Sequence, residues 1–100
     1  MAIDEFNSLV KENSLTVCKL STSWCQPCKV LSEKIHGLKK ELPDVKFIEI
    51  DVEDEPEISS HLRIRNVPVL LYYKDGELKD KTVGLVTEQT IKEKIETLKA

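Results

Sequence analysis

Two cysteines separated by two residues are the strongest chemical signal in this 100-residue sequence. They form the segment Cys25-Gln26-Pro27-Cys28, which follows an apolar run and opens a stretch of helical periodicity. The first turn of a helix has free N–H groups and a partial positive charge, and both stabilise a thiolate. The pKa of a cysteine held there can fall to about 3.5–7.5, and a thiol three residues further on can close a disulfide with it. The spacing therefore predicts redox chemistry.

The same pair could instead be half of a zinc site, or two structural cysteines in the core. A structural zinc ion needs four ligands, and outside the motif the chain offers only Cys18, His36 and His61, with no second paired spacing. A tryptophan, a proline and a lysine surround the pair, which is not typical of a core segment. We therefore favour redox chemistry over metal binding and expect both histidines to lie at the surface.

The composition is typical of a soluble globular protein, with 40% hydrophobic and 33% charged residues and a net charge of -3. Nucleic-acid binding needs a concentrated basic face, which this charge balance does not favour. No apolar stretch approaches the length that spans a membrane. Asp4 and Glu5 lie where a secretory leader would need basic and apolar residues. We expect a cytoplasmic protein with no nucleic-acid or membrane partner.

The apolar periodicity alternates between helical and strand-like and predicts one α/β domain over residues 1–100. The predicted helices cover 4–11, 25–42, 55–62 and 87–98, and the predicted strands cover 15–20, 45–52, 67–73 and 78–83. Asp75-Gly76 supplies the positive φ values of a tight hairpin turn. Strands separated by helices should pair in parallel, and the hairpin should add an antiparallel edge. We expect a mixed four-stranded sheet with helices on both faces.

Several segments together resemble the thioredoxin family over nearly the whole chain. Trp24-Cys25-Gln26-Pro27-Cys28-Lys29 is similar to the active-site motif of that family, with Gln26 where its members usually carry glycine. The other matching segments are Ile50-Asp51-Val52, Ile64-Arg65-Asn66-Val67-Pro68, Lys74-Asp75-Gly76-Glu77 and Val83-Gly84. The resemblance implies the thioredoxin-like fold and a thiol–disulfide oxidoreductase that contributes to electron transport and cell redox homeostasis.

The resemblance also assigns chemical roles. It implies that Cys25 is the attacking thiol and Cys28 the resolving thiol, with no metal or organic cofactor beyond their redox-active disulfide. Its implied partners are protein disulfide substrates and a thioredoxin reductase or an equivalent that regenerates the dithiol.

A substrate-binding surface follows from the same resemblance. Pro68 is expected in the cis form, so that the backbone of Val67 pairs with an extended substrate. Trp24, Pro27, Val67 and Gly84 are expected to form a flat apolar surface around it. From the residues alone, Pro68 would be an edge-strand proline, Gly84 a strand-end glycine and Trp24 a core aromatic.

Lys19 is the most consequential departure from the family, which has a buried aspartate six residues before the attacking cysteine. Strand alternation places Lys19 on the same face as Val17. A buried lysine has a lowered pKa and could act as a base toward Cys28, whereas a charged one would favour the thiolates. The alternative is that Lys19 extends to solvent and takes no part. Glu49 is either its ion-pair partner or a solvated strand-end residue.

Three smaller departures concern the scaffold. Phe47 replaces a lysine of the family, and Ser32-Glu33 lies where the family has a helix-kinking proline, so the second helix should be straighter. Residues 1–3 leave little sequence for the opening strand of the family, so about four strands are expected. Cys18 lies on the strand face opposite Lys19 and should be buried and inert.

Two other functions stay open on the sequence alone. Loss of the aspartate favours a non-catalytic binding or assembly module with the same fold, whereas the presence of both cysteines, Pro27 and Val67-Pro68 favours catalysis. A disulfide oxidase or isomerase is the second alternative. Gln26-Pro27 differs from the dipeptides of strong oxidants, so we prefer a reductase.

Overall fold

A computed structural model describes residues 1–99 as four helices and four strands. The helices are α1 (Ile3–Glu12), α2 (Gln26–Glu41), α3 (Pro56–His61) and α4 (Glu88–Lys99), and the strands are β1 (Leu15–Ser21), β2 (Lys46–Asp51), β3 (Val69–Lys74) and β4 (Glu77–Val83). Their order and types are those that the periodicity predicts, and the four-stranded sheet is confirmed. Among these helices, none is both long and apolar enough to cross a membrane.

The sheet has the strand order β2-β1-β3-β4. β1 and β2 are parallel, whereas β3 runs antiparallel to both β1 and β4. The expectation that helix-linked strands are parallel is therefore wrong for β3. The antiparallel direction of β3 follows from the length of α3. The six residues of α3 span only about 9 Å, while a strand of similar length spans about 20 Å. The chain therefore re-enters the sheet at the end where β2 finished.

Each face of the sheet is covered by its own pair of helices. Leu31 and Ile35 of α2 and Ile91 of α4 pack on one face. Phe6 of α1 and Ile58 of α3 pack on the other. All five side chains are at most 1% exposed, and burying a large apolar side chain stabilises the fold by about 1.5–3 kcal/mol. This packing confirms the expected helices on both faces of the sheet.

The β3–β4 hairpin turns through Asp75 (φ 52°) and Gly76 (φ 84°), both in the left-handed region that a type I′ turn requires. A Cβ added to Gly76 would lie 2.5 Å from Cγ of Lys11. Gly37 in α2 differs, because a Cβ there would meet only Oε1 of Glu88, at an ordinary 3.6 Å. Position 76 therefore requires glycine, whereas position 37 has room for an alanine side chain.

We expect Gly76→Ala to lower the free energy of unfolding by about 1–2 kcal/mol, the cost of a left-handed non-glycine residue. Gly37→Ala is the matched control and should raise the same quantity by about 0.5–1 kcal/mol, because alanine loses less entropy in a helix. Urea titrations with unchanged m values measure both. Equal stability of Gly76→Ala and the wild type would contradict the type I′ geometry.

Candidate active site

The cysteine motif lies at the N-terminal turn of α2. Cys25 is the N-cap residue, with extended backbone angles (φ -87°, ψ 113°). Its Sγ accepts a hydrogen bond of 3.3 Å from the backbone N–H of Cys28. Pro27 occupies the first turn, where the N–H that proline lacks would have no partner within the helix. Because the N-terminal turn carries a partial positive charge, this geometry stabilises negative charge on the sulfur of Cys25.

The two sulfurs of the motif are joined in a disulfide. The Cα atoms of Cys25 and Cys28 are 5.2 Å apart, within the ordinary range of disulfides. Cys25 keeps the larger exposed fraction, 6% against 2% for Cys28. Both cysteines are therefore largely buried in the oxidised form.

Lys19 is buried beneath the motif. It is only 4% exposed, so the alternative that it extends to solvent is wrong. Its Nζ donates a hydrogen bond to Oγ of Ser32 and lies 3.9 Å from Oε1 of Glu49. Ser32 in turn donates a bond of 3.0 Å to the carbonyl of Cys28. The lysine is thereby connected to the resolving end of the motif and to a carboxylate that reaches solvent.

An open cleft of about 370 Å³ gives this region access to water. Its lining includes Lys19, Cys28, Ser32 and Glu49. The pKa of Lys19 is lowered below its usual value of 10.5, mainly because burial disfavours the ammonium form; the Glu49 carboxylate opposes this shift and Lys39 adds to it. The cleft therefore places a titratable amine with a lowered pKa beside the buried Cys28.

The expected substrate-binding residues lie at the same end of the sheet as the motif. Leu20, at the end of β1, pairs with Val69, which pairs with Val83. The Val67–Pro68 peptide bond is cis, and the carbonyl of Pro68 accepts a hydrogen bond of 2.8 Å from the N–H of Gly84.

Trp24 lies on the surface of this region. It is 71% exposed, which excludes a core role, and its indole N–H donates to Glu53. Gly84 has φ 85°, and an added Cβ there would meet nothing within 4 Å. Glycine is therefore favoured at this position by its positive φ and not by a lack of space, and the neighbouring surface is open.

Cys18 lies apart from the motif, fully buried on the opposite face of the sheet. Burial raises the pKa of its thiol to about 12, in agreement with the expected inertness. His36 and His61 are exposed. Within residues 1–99 no cluster of three or more histidine, cysteine, aspartate and glutamate side chains could hold a metal ion.

Ser32 contributes to the site without standing out in the sequence, where it marks only the place of an absent proline. It lies four residues after Cys28 on α2, and residues at that spacing share a helix face. That spacing is the signal by which its contact with the β1 lysine was predictable.

We expect Lys19→Met to gain the most stability over the wild type at pH values where Lys19 is charged in the folded chain, and this advantage to shrink as the pH rises toward 10.5. Below its folded pKa, Lys19 is charged in both states, and its burial then disfavours the native state most. As the pH rises, the folded chain loses this proton before the unfolded chain does, so the cost disappears. Urea titrations across this pH range measure the difference.

Lys46→Met is the control, because Lys46 is an exposed lysine on β2. A Lys19→Met difference that varies with pH no more than the Lys46→Met difference does would contradict the lowered pKa of Lys19.

Comparisons with known proteins agree with this geometry. The family model described as Thioredoxin matches residues 1–97. A thioredoxin from Mycoplasmoides gallisepticum is 32% identical over 89 residues, which cover 89% of this chain and 89% of that protein.

Among solved structures, the oxidised mitochondrial thioredoxin 3 of Saccharomyces cerevisiae has a TM-score of 0.88 at 29% identity, covering 96% of this chain and 90% of that one. A mutant thioredoxin from Halobacterium salinarum has a TM-score of 0.90 at 28% identity, covering 98% of this chain and 86% of that one.

Thioredoxins are disulfide reductases that act through a redox-active disulfide of their own, without an external cofactor. The paired cysteines of this chain lie at the start of a helix, as that chemistry requires. With the family match over almost its whole length, the chain belongs to the thioredoxin family and is a thiol–disulfide oxidoreductase.

Proposed function

We propose that the chain reduces disulfides of protein substrates with Cys25 as the attacking thiol and Cys28 as the resolving thiol. The observation that carries this assignment is the hydrogen bond from the backbone N–H of Cys28 to Sγ of Cys25 at the N-cap of α2. In the reduced protein the same N–H and the helix dipole favour a thiolate at Cys25. Cys25 also keeps the larger exposed fraction of the two.

The proposed reaction has two exchange steps. The Cys25 thiolate attacks one sulfur of the substrate disulfide, forms a mixed disulfide and releases the other substrate sulfur as a thiolate, which takes up a proton. Cys28 then gives up its proton and attacks Sγ of Cys25, closing the Cys25–Cys28 disulfide and releasing the second substrate sulfur. That second sulfur also leaves as a thiolate and takes up a proton. Two electrons thus pass from the cysteine pair to the substrate, the protons exchange with solvent, and a thioredoxin reductase or its equivalent returns the two electrons.

We propose that Lys19 accepts the proton of Cys28, and that water in the cleft carries it between them. Cys28 is 2% exposed, so its proton needs an acceptor close by. Neutral Lys19 accepts it, and the resulting ammonium stabilises the Cys28 thiolate until the proton leaves past Glu49, which is 3.9 Å from the lysine nitrogen. Ser32 holds the amine toward Cys28. The cleft that these residues line supports this path.

The proposed substrate surface comprises Trp24, Pro27, Val67, Pro68 and Gly84. The exposed indole of Trp24 supplies apolar area beside the disulfide. Val67 precedes β3 and offers its backbone groups to an extended substrate strand. A reductase of this kind operates where thiols are kept reduced, and we propose the cytoplasm as its compartment.

Cys28→Ser should accumulate a covalent adduct with a disulfide substrate, because Cys25 can attack but nothing can resolve the mixed disulfide. We expect nearly stoichiometric adduct by mass spectrometry and non-reducing electrophoresis, released by dithiothreitol. Cys25→Ser is the matched control and should trap nothing. Adducts carried by Cys28 in that control would reverse the roles of the two cysteines. Absence of an adduct in Cys28→Ser would remove the assignment.

Lys19→Met should slow the resolution of the mixed disulfide at neutral pH by up to about 100-fold, the lower end of what general acid–base catalysis supplies. Its rate should recover as hydroxide replaces the amine at higher pH. Glu49→Gln should shift the pH–rate profile the other way, toward lower pH, because the carboxylate raises the pKa of Lys19. Stopped-flow measurement of Trp24 fluorescence follows the step.

Lys46→Met is again the control and should reproduce the wild-type profile. If Lys19→Met leaves the profile unchanged, Lys19 takes no part in proton transfer. Opposite shifts in Lys19→Met and Glu49→Gln are not expected from a merely structural role.

A further inference from the structure

A second concave surface, here called the basic groove, lies between residues 62–66, which follow α3, and the side chains of Leu78, Lys81 and Val83 on β4. It has a volume of about 240 Å³, and its lining includes Arg63, Ile64, Arg65, Leu78, Lys81 and Val83. It shares no lining residue with the cleft beside Cys28. The redox chemistry described above does not use it.

The charge of this groove contrasts with that of the chain. Acidic residues outnumber basic ones by 18 to 15 in the sequence, yet no aspartate or glutamate lines the groove. Arg63, Arg65 and Lys81 are all exposed. Within residues 1–99, none of these three cations lies within 4.0 Å of a carboxylate oxygen. The groove therefore presents three cations that form no ion pair with the described residues.

Apolar side chains and free backbone groups complete the surface. Leu78 and Val83 are 50% and 54% exposed. β4 is an edge strand paired only with β3, so the N–H and C=O groups of its outer edge are available to another strand. The groove thus combines positive charge with exposed apolar area and lies next to an unpaired strand edge, and an extended acidic peptide would use all three features.

Arg63 occupies a position where glycine is the favoured residue. It has φ 56° and closes α3, with its N–H bonded to the carbonyl of Ser60 (3.1 Å) and the N–H of Ile64 bonded to that of Ser59 (3.0 Å). This is the Schellman arrangement, in which the left-handed residue is usually glycine. Replacing Arg63 by glycine therefore removes the charge without a loss of backbone fit.

The groove is continuous with the proposed substrate surface. Arg65 and Asn66 directly precede Val67 in the chain, and Val83 directly precedes Gly84. The hydrogen bond from Gly84 to Pro68 joins the two sides. A substrate strand paired with Val67 would therefore reach the groove with its flanking residues.

We propose that the basic groove binds an acidic, extended segment next to the disulfide of the protein substrate and so selects substrates with acidic flanks. The inference rests on the proposed function, because the same substrate occupies Cys25 and the groove. A peptide fits better than a nucleic acid, since the lining is partly apolar, has no aromatic side chain and offers three cations.

The test compares two synthetic peptides with the same internal disulfide, one flanked by glutamate and aspartate and the other by glutamine and asparagine. We expect the reduced chain to have a several-fold higher kcat/KM for the acidic peptide. Arg63→Gly should lower this preference by about two- to fivefold while its urea midpoint stays equal or rises, since glycine suits the backbone. Arg65→Gln and Lys81→Gln should each lower the preference for the acidic peptide by a similar factor. In the wild type the preference should vanish near 0.5 M salt, where the Debye length is only about 4 Å.

Lys46→Gln removes an exposed positive charge from the opposite edge strand and is the control of equal net charge. If the two peptides are reduced at equal rates, or if Lys46→Gln loses as much of the preference as the groove variants do, the proposed role of the groove is overturned while the reductase activity stands. Failure to reduce either peptide would instead remove the proposed function and the groove with it. A dimer of the chain that Arg63→Gly dissociates would assign the groove to a second copy and also overturn the proposal.

Discussion

The packing of α2 on the sheet holds its N-terminal turn, and with it the Cys25 sulfur, in one position. A helix of 16 residues is only marginally stable by itself in water. Its position is fixed because Leu31 and Ile35 are fully buried against the sheet. The N–H groups of its first turn are thereby held toward one point in space. A thiolate at that point is stabilised by groups that need not reorganise during the exchange.

Burial of Lys19 opposes stability and supports chemistry at the same position. An amine removed from water costs free energy unless it is paired and hydrogen-bonded. Here the cost is reduced by Ser32, by Glu49 and by the water that the cleft admits. A carboxylate in its place would repel the nearby thiolates, whereas an ammonium attracts them. The proposed acceptor for the proton of Cys28 is therefore a group whose charged form favours the thiolates.

The features that sequence determines locally were predictable, and those set by distant segments were not. The cysteine spacing, Pro27 and the Asp75-Gly76 turn depend on backbone geometry within a few residues, and the structure has the pair and the turn as expected. The direction of β3 depends on the length of α3 relative to a strand. Burial of Lys19 depends on α2, which packs over it from 13 residues away. The basic groove joins side chains from the segment after α3 and from β4, and no local pattern connects them.

The two concave surfaces lie toward opposite edges of the sheet, the cleft beside β2 and the groove beside β4. Their charges also differ in accessibility, because Lys19 is buried and the groove cations are exposed. Salt screens exposed charges strongly and buried ones weakly. Ionic strength should therefore act on the choice of substrate, and pH should act on the resolution step. The arrangement allows the proposed substrate preference to change by surface substitution without disturbing the proposed proton path to Cys28.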